Sequence, residues 1–264
     1  MKKFLYLLIA GLMVLPVFSA DEDESSLAVE EVIVTAERRE ASIMDTAISI
    51  TAFDESLIET LNLRNQEDLQ NFIPATTIQP YDISIRGIGR VFRALGGDPG
   101  IGTYQDGAYS EDFGIASTDN ALYDLARIEV LRGPQGTLYG RNSIGGAVNF
   151  ITNKPSQDFA AELKTISGSY GTAEVYALLN GPITDNLSAR FITTHRIRGG
   201  TIEDLAGHED LDSYDDENHT LALRWENDSF TADIRGNARS YGRVLGGAQG
   251  AGAVVTSQYG SAHR

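Results

Sequence analysis

The stretch from residue 131 to residue 150 constrains the fold more than any other part of the chain, because five glycines (Gly133, Gly136, Gly140, Gly145 and Gly146) fall within it. Each would weaken an ordinary helix or strand interior by roughly 0.5–1 kcal/mol, so together they mark enforced turns and close backbone approaches. Short apolar pieces lie between them. Residues 128–131 read as a buried strand, Gly133-Pro134 as a turn, 137–139 as a one-turn element and 145–152 as a second strand. A glycine-rich loop can also cradle phosphate, but that pattern ends in Gly-Lys-Ser/Thr, and no such tripeptide follows here.

The longer run Tyr123-Asp124-Leu125-Ala126-Arg127-Ile128-Glu129-Val130-Leu131-Arg132-Gly133-Pro134 continues through Leu138-Tyr139-Gly140, Gly145-Gly146-Ala147-Val148-Asn149 and Thr152-Asn153-Lys154-Pro155. It resembles the plug domain of TonB-dependent outer-membrane receptors. Ile85-Arg86-Gly87 is similar to that family's Ile-Arg-Gly motif, and Tyr104-Gln105-Asp106-Gly107-Ala108-Tyr109 to its Tyr-x-Asp-Gly-x-Tyr turn. The resemblance implies an α+β plug domain with a small mixed sheet, followed by the first antiparallel strands of a transmembrane β-barrel. In the family that barrel has twenty-two strands and a plugged lumen, so the barrel is incomplete here. The implied activity is active uptake of a scarce nutrient, most often a ferric siderophore, bound above the plug. TonB, with its inner-membrane energising complex, pulls on an N-terminal segment. The resemblance implies no cofactor and no enzymatic reaction. The alternatives are a non-transporting plug-like binding module and a truncated, non-functional receptor fragment.

Charge and cysteine content narrow the field further. A net charge of −16 over 264 residues argues against gripping nucleic acid, which requires clustered Lys and Arg. The absence of cysteine excludes disulfides, thiolate metal sites and a lipid anchor on Cys. Lys2 and Lys3 precede an apolar run over 4–17, and Val17-Phe18-Ser19 places small residues at cleavage spacing, so 1–19 reads as a secretory signal peptide. The competing reading is a short membrane anchor, but the run is shorter than the roughly 20 residues of a spanning helix. Export and the plug resemblance together imply the outer membrane of a Gram-negative bacterium.

Residues 20–45 read as a flexible N-terminus, beginning with the acidic Asp21-Glu22-Asp23-Glu24. Within it lies Glu31-Val32-Ile33-Val34-Thr35-Ala36, whose β-branched run favours an extended strand. An unpaired strand on a flexible leash suits addition to a partner's sheet edge. The resemblance makes these six residues the TonB box. The alternative is the first strand of the plug. About a dozen residues between the expected cleavage site and this box leave no room for a further signalling domain, which needs roughly 50 residues.

The plug is expected over 46–155. Asp54 caps a helix containing Leu57, Ile58 and Leu61; Asn65 and Asp68 cap a second one that Pro74 stops; a short helix is expected over 121–125. From 156 to 264 the period changes to two. Leu163, Val175, Leu179, Phe191, Leu221, Leu223, Trp225 and Ile234 lie on one face of about five strands, with short turns over 181–186 and 226–229 and a long acidic connection over 199–218. This is the pattern of an outer-membrane barrel wall, and equally of a soluble β-sandwich when the plug resemblance is set aside. A wall of five strands leaves unpaired edges in lipid, so the chain is expected not to transport alone.

No catalytic constellation stands out. His195, His208, His219 and His263 follow no metal-ligand spacing, and the acidic run 208–217 lacks the glycine and terminal Glu of a calcium loop, so it reads as a solvated loop. The resemblance carries two arginines, Arg86 and Arg132, to positions where plug guanidinium groups meet barrel glutamates. The candidate ligand contacts are loop residues: Arg90 and Arg93, which attract an anion, and Phe92, Tyr109 and Phe113, which offer apolar contact.

Overall fold

The computed structural model describes residues 33–35, 41–42, 48–79, 82–89, 98–109, 122–204, 210–245 and 255–256. A two-residue pair comes first, β1 (Ile33–Val34) with β2 (Ala41–Ser42). Then follow β3 (Ile50–Asp54) and helix α1 (Glu55–Thr60), whose N-cap Asp54 accepts from the Leu57 amide at 2.7 Å. The second expected helix is a 3-10 turn over Gln66–Asn71, closed by the reciprocal Asn65–Asp68 capping box. β4 (Thr76–Gln79) and β5 (Asp82–Ile85) form a separate antiparallel pair.

The plug sheet is built from β3, β6 (Ile101–Gln105), β7 (Ala108–Tyr109), β8 (Leu125–Arg132) and β9 (Gly146–Thr152), in the order β3-β8-β9-β6-β7. It is mixed: β6 runs parallel to β9, and the other neighbours are antiparallel. The one-turn helix α2 (Gly136–Tyr139) joins β8 to β9. The glycine-rich stretch is thus the connection between the two central strands. No helix forms over the described part of 121–125. Asp124 takes a left-handed φ of +59°, and Leu125 already pairs with Thr152, which extends β8 backwards.

One core cluster, with Phe53, Leu69, Ile85, Ile101, Ile128 and Val148, lies on one side of this sheet. A second holds Val34, Tyr104, Leu131, Tyr139 and Ala147.

Five long antiparallel strands form the wall: β10 (Ala160–Ser167), β11 (Ala173–Thr184), β12 (Leu187–Arg198), β13 (Ser213–Asn227) and β14 (Phe230–Leu245). The two-residue β15 (Val255–Thr256) pairs with the last of them. Four of the five exceed the roughly 9–11 residues a tilted strand needs to cross a bilayer. Leu163, Leu179, Phe191, Leu221, Trp225 and Ile234 are exposed, while Glu174, Tyr176, Asn180, Ile192, Arg196 and Asp216 are buried on the opposite face. An apolar outside over a polar inside is the barrel arrangement, and the reverse of a sandwich. No helix among the described residues is long and apolar enough to cross a membrane.

Two connections differ from the expected ones. β11 runs on to Thr184 through a bulge between Pro182 and Thr184, the kind of position where a strand tolerates proline. The acidic connection ends early, because β13 starts at Ser213. Asp215 and Glu217 face outward while Asp216 is buried inward, so the second half of the run is strand and not solvated loop.

Candidate functional site

Two sets of polar contacts stand out, one inside the plug and one between plug and wall. Inside the plug, Glu129 on β8 is fully buried and its Oε1 is heavily used. It accepts from the Thr35 amide at 2.6 Å, from Thr35 Oγ1 at 3.1 Å and from Arg127 Nε at 2.8 Å, while Arg127 Nη2 donates to Thr35 Oγ1 at 3.1 Å. A buried carboxylate is tolerated only when charge and hydrogen bonds meet it, and here the N-terminal segment supplies two of the three contacts. Val34, 1% exposed, sits beside Leu131 and Tyr139. At these residues the segment expected as a free leash is attached to the plug: Ile33 and Val34 are paired with β2, and Thr35 is tied to the sheet. Glu31, Val32 and Ala36 lie outside the described residues.

The plug meets the wall through residues that flank the central strands. Asp124 receives both Nε, at 2.8 Å, and Nη2 of Arg190 on β12, with both side chains largely buried. The Asn153 carbonyl accepts from Arg235 Nη2 at 2.8 Å; just past the plug, on the way to β10, the carbonyl of Asp158 accepts from Asn180 Nδ2 at 2.6 Å. Further along, Arg64 pairs with Glu174 on β11 at 2.5 Å, and the Tyr176 and Tyr214 hydroxyls donate to the same carboxylate at 2.6 and 2.7 Å. Glu174 faces Arg196, which faces Asp216, which takes Arg239 at 2.7 Å, so alternating charges cross the inner face of four strands.

Glu55 lies close to this contact, donated to by Asn153 Nδ2 at 3.3 Å. Burial, reinforced by Asp124 and Glu59, holds its carboxyl above the usual carboxylate range against the opposing Asn153 bond. The folded plug thus binds this proton more tightly than the unfolded chain does. The associated stability is present below the ordinary value and is lost as pH rises through the raised one. Glu55→Gln is expected to raise the melting temperature slightly at neutral pH and leave it unchanged in acid. A lower melting temperature at neutral pH would contradict this.

The described motif residues have clear structural work. Asp106 (φ +48°) and Gly107 (φ +81°) make the tight turn between β6 and β7, a conformation that suits Asp-Gly. The Asp106 carboxylate then accepts from Thr152 N and Oγ1 at 3.0 and 2.8 Å. These motif strands coincide with a family model: residues 42–147 match the TonB-dependent receptor plug domain. This chain carries the plug domain of a TonB-dependent receptor.

Similarity to known TonB-dependent receptors extends beyond the plug. The pesticin receptor of Yersinia pestis is 28% identical over 223 residues, covering 78% of this chain and 31% of that protein. The iron-regulated outer membrane virulence protein of Vibrio cholerae is 31% identical over 184 residues, covering 64% of this chain and 28% of its own length. The crystal structure of the ferric yersiniabactin uptake receptor FyuA from Yersinia pestis superposes with a TM-score of 0.66 at 23% identity, covering 75% of this chain and 32% of that one. The chain thus spans about a third or less of the length of these relatives. The family is one of outer-membrane receptors of Gram-negative bacteria, not of enzymes, and its members interact with TonB and with ligands such as siderophores.

Within this TonB-dependent receptor plug, Arg86 follows β5 at a left-handed φ of +53°, and its Nη2 reaches Ser49 Oγ at 3.5 Å. Its Nη1 lies over Gly133, 3.8 Å from where a Cβ would sit, so Arg86 reaches the turn that follows Arg132. Tyr109 is half-buried; its hydroxyl accepts from Asn142 Nδ2 at 2.8 Å, and its ring lies 5.7 Å from the Arg141 guanidinium. Arg90, Phe92, Arg93 and Phe113 lie outside the described residues. The sequence reading missed Arg127 and Glu129, Arg64 with Glu174, and Asp124 with Arg190. The one available signal was Glu129, a charge inside the apolar run Ile128-Glu129-Val130.

Proposed function

We propose that the protein takes part in TonB-dependent uptake of an iron chelate of the ferric-siderophore class across the outer membrane, with residues 31–36 as the segment TonB grips. The observation that carries this reading is the placement of Ile33–Val34: an extended two-residue strand whose one strand partner among the described residues is the equally short β2, a pairing small enough for a partner's sheet edge to replace. Support for the cargo comes from the relatives, one named for ferric yersiniabactin uptake and another as iron-regulated. In this reading the plug spans 46–155, the residues after it belong to the barrel, and 1–19 is removed on export. Arg86 and Arg132, gathered at one turn, lock the plug to carboxylates of the wall. Arg90, Phe92, Arg93, Tyr109 and Phe113 are the candidate ligand contacts.

Deleting residues 31–36 from the receptor that contains this chain is expected to abolish energised uptake while leaving ligand binding to cells within about twofold. Radiolabelled ferric chelate, counted as bound and as internalised, separates the two. Undiminished internalisation would remove the assignment.

A further inference from the structure

Glu174, the second residue of β11, is fully buried, and its side chain is 0% exposed. Among the described residues four groups converge on it. The Tyr176 hydroxyl donates to Oε2 at 2.6 Å, and the Tyr214 hydroxyl donates to Oε1 at 2.7 Å. Arg64 Nη2, from the plug, lies 2.5 Å from the same Oε1, and Arg196 Nε, from β12, lies 3.9 Å from it. The tyrosines bring hydrogen bonds and no charge, so a buried carboxylate here depends on a guanidinium to balance it. At these distances Arg64 does most of the balancing.

Arg196 stands between two carboxylates, with its Nη1 3.7 Å from Asp216 Oδ2. Asp216 is already balanced, because Arg239 Nε donates to its Oδ1 at 2.7 Å. The Arg196 guanidinium lies over the Tyr214 ring, 5.2 Å from its centre, and the hydroxyl of that ring is one of the two that hold Glu174. A cation keeps its attraction to an aromatic face while it shifts across it. Arg196 therefore needs to travel only about 1 Å to bring Nε within hydrogen-bond distance of Oε1. Arg64 is placed differently. It lies on the connection between α1 and the 3-10 turn, and its side chain is 34% exposed. A cavity of about 50 Å³, lined also by Tyr123, Glu162, Lys164 and Tyr176, lies beside it. That volume admits water, so a guanidinium that withdraws from Glu174 can be hydrated.

We infer that Glu174 is a guanidinium socket shared by two arginines: Arg64 fills it while the plug is seated, and Arg196 moves onto it when Arg64 leaves. Removing the partner of a buried carboxylate normally strands its charge, which makes such a pair hard to break. Here the wall carries the replacement, so this mooring parts and re-forms without a stranded charge. Asp124 has no such reserve, since Arg190 is its one ion-pair partner among the described residues. The plug is thus moored by one contact that can let go and by another that cannot. Nothing in this exchange depends on which cargo is carried or on where force enters.

The test uses the receptor that contains this chain, in isolated outer membranes, with a cysteine replacing Leu63. That residue is buried next to Arg64, and the chain has no other cysteine. The rate at which a maleimide labels it reports how often the segment around Arg64 opens. Relative to the L63C parent, R64A alone and R196Q alone are each expected to raise the rate less than threefold, because Glu174 keeps one guanidinium in both. R64A/R196Q is expected to raise it at least thirtyfold, far above the product of the single effects. Adding E174Q to that pair should bring the rate back to within threefold of the parent, since a neutral amide held by two tyrosines needs no counter-ion. A rise with R64A alone as large as with R64A/R196Q means that Arg196 does not take over, and overturns the inference. So does a double variant that only multiplies the single effects, or a triple variant that fails to recover. If R64A/R196Q does not assemble in the membrane, the comparison passes to assembly itself: recovery on adding E174Q supports the shared socket, and continued loss overturns it.

Discussion

Gly146→Ala is expected to cost about 3–5 kcal/mol, enough to deplete folded plug, because the new methyl group has nowhere to go. A Cβ built on Gly146 would sit 2.3 Å from the Leu131 carbonyl oxygen and 3.1 Å from Ile85 Cδ1, and the φ of +156° adds strain. The Leu131 oxygen belongs to the backbone of β8, a central strand paired on both sides, so it cannot step aside as a flexible side-chain tip would. Gly136→Ala is the matched control. Nothing lies within 4 Å of its Cβ position and it opens helix α2, where alanine is better than glycine by up to about 1 kcal/mol. Limited proteolysis of the receptor in isolated outer membranes measures both: rapid cleavage within the plug for Gly146→Ala, and parent-like resistance for Gly136→Ala. Equal resistance would show that the close approach of β8 and β9 is not the reason for this glycine.

The same position explains why so much of the plug was legible. Glycines, tight Asp-Gly turns and helix caps act over a few residues, so their causes and effects lie together in the sequence. Asp54 and Asn65 cap where expected, and the glycine-rich stretch joins two strands as read. The illegible part is non-local. Glu129 meets Thr35 across 94 residues, and Asp124 meets Arg190 across 66. Neither partner carries a local mark. β13 was hidden for a different reason: alternation can be read only where one face is apolar. Around Asp215, Asp216 and Glu217 the inward side answers the charge ladder and the outward side answers His195 and His219, so both faces are polar and no period shows.

Arg190→Ala is expected to loosen the plug from the wall far more than its single ion pair suggests. An exposed pair such as His195–Asp215, at 3.2 Å with both side chains about half or more exposed, is worth at most about 1 kcal/mol, since water and ions replace either partner. Asp124 is different: its side chain is 4% exposed and that of Arg190 is 12% exposed, and two guanidinium nitrogens point at one carboxylate oxygen. Removing the arginine strands a carboxylate that water reaches poorly, with an expected cost of about 3 kcal/mol or more. Arg190→Lys keeps the charge but not the fork, so it should recover only part of the loss. Since Asp124 is one of the moorings at the start of β8, the consequence is a plug that seals less well. Cells with the Arg190→Ala receptor should admit a large antibiotic several-fold more readily, with Arg190→Lys intermediate and His195→Ala unchanged. Equal permeability of Arg190→Ala and the parent, at equal receptor abundance, would mean that the mooring at Asp124 does not hold the plug in place.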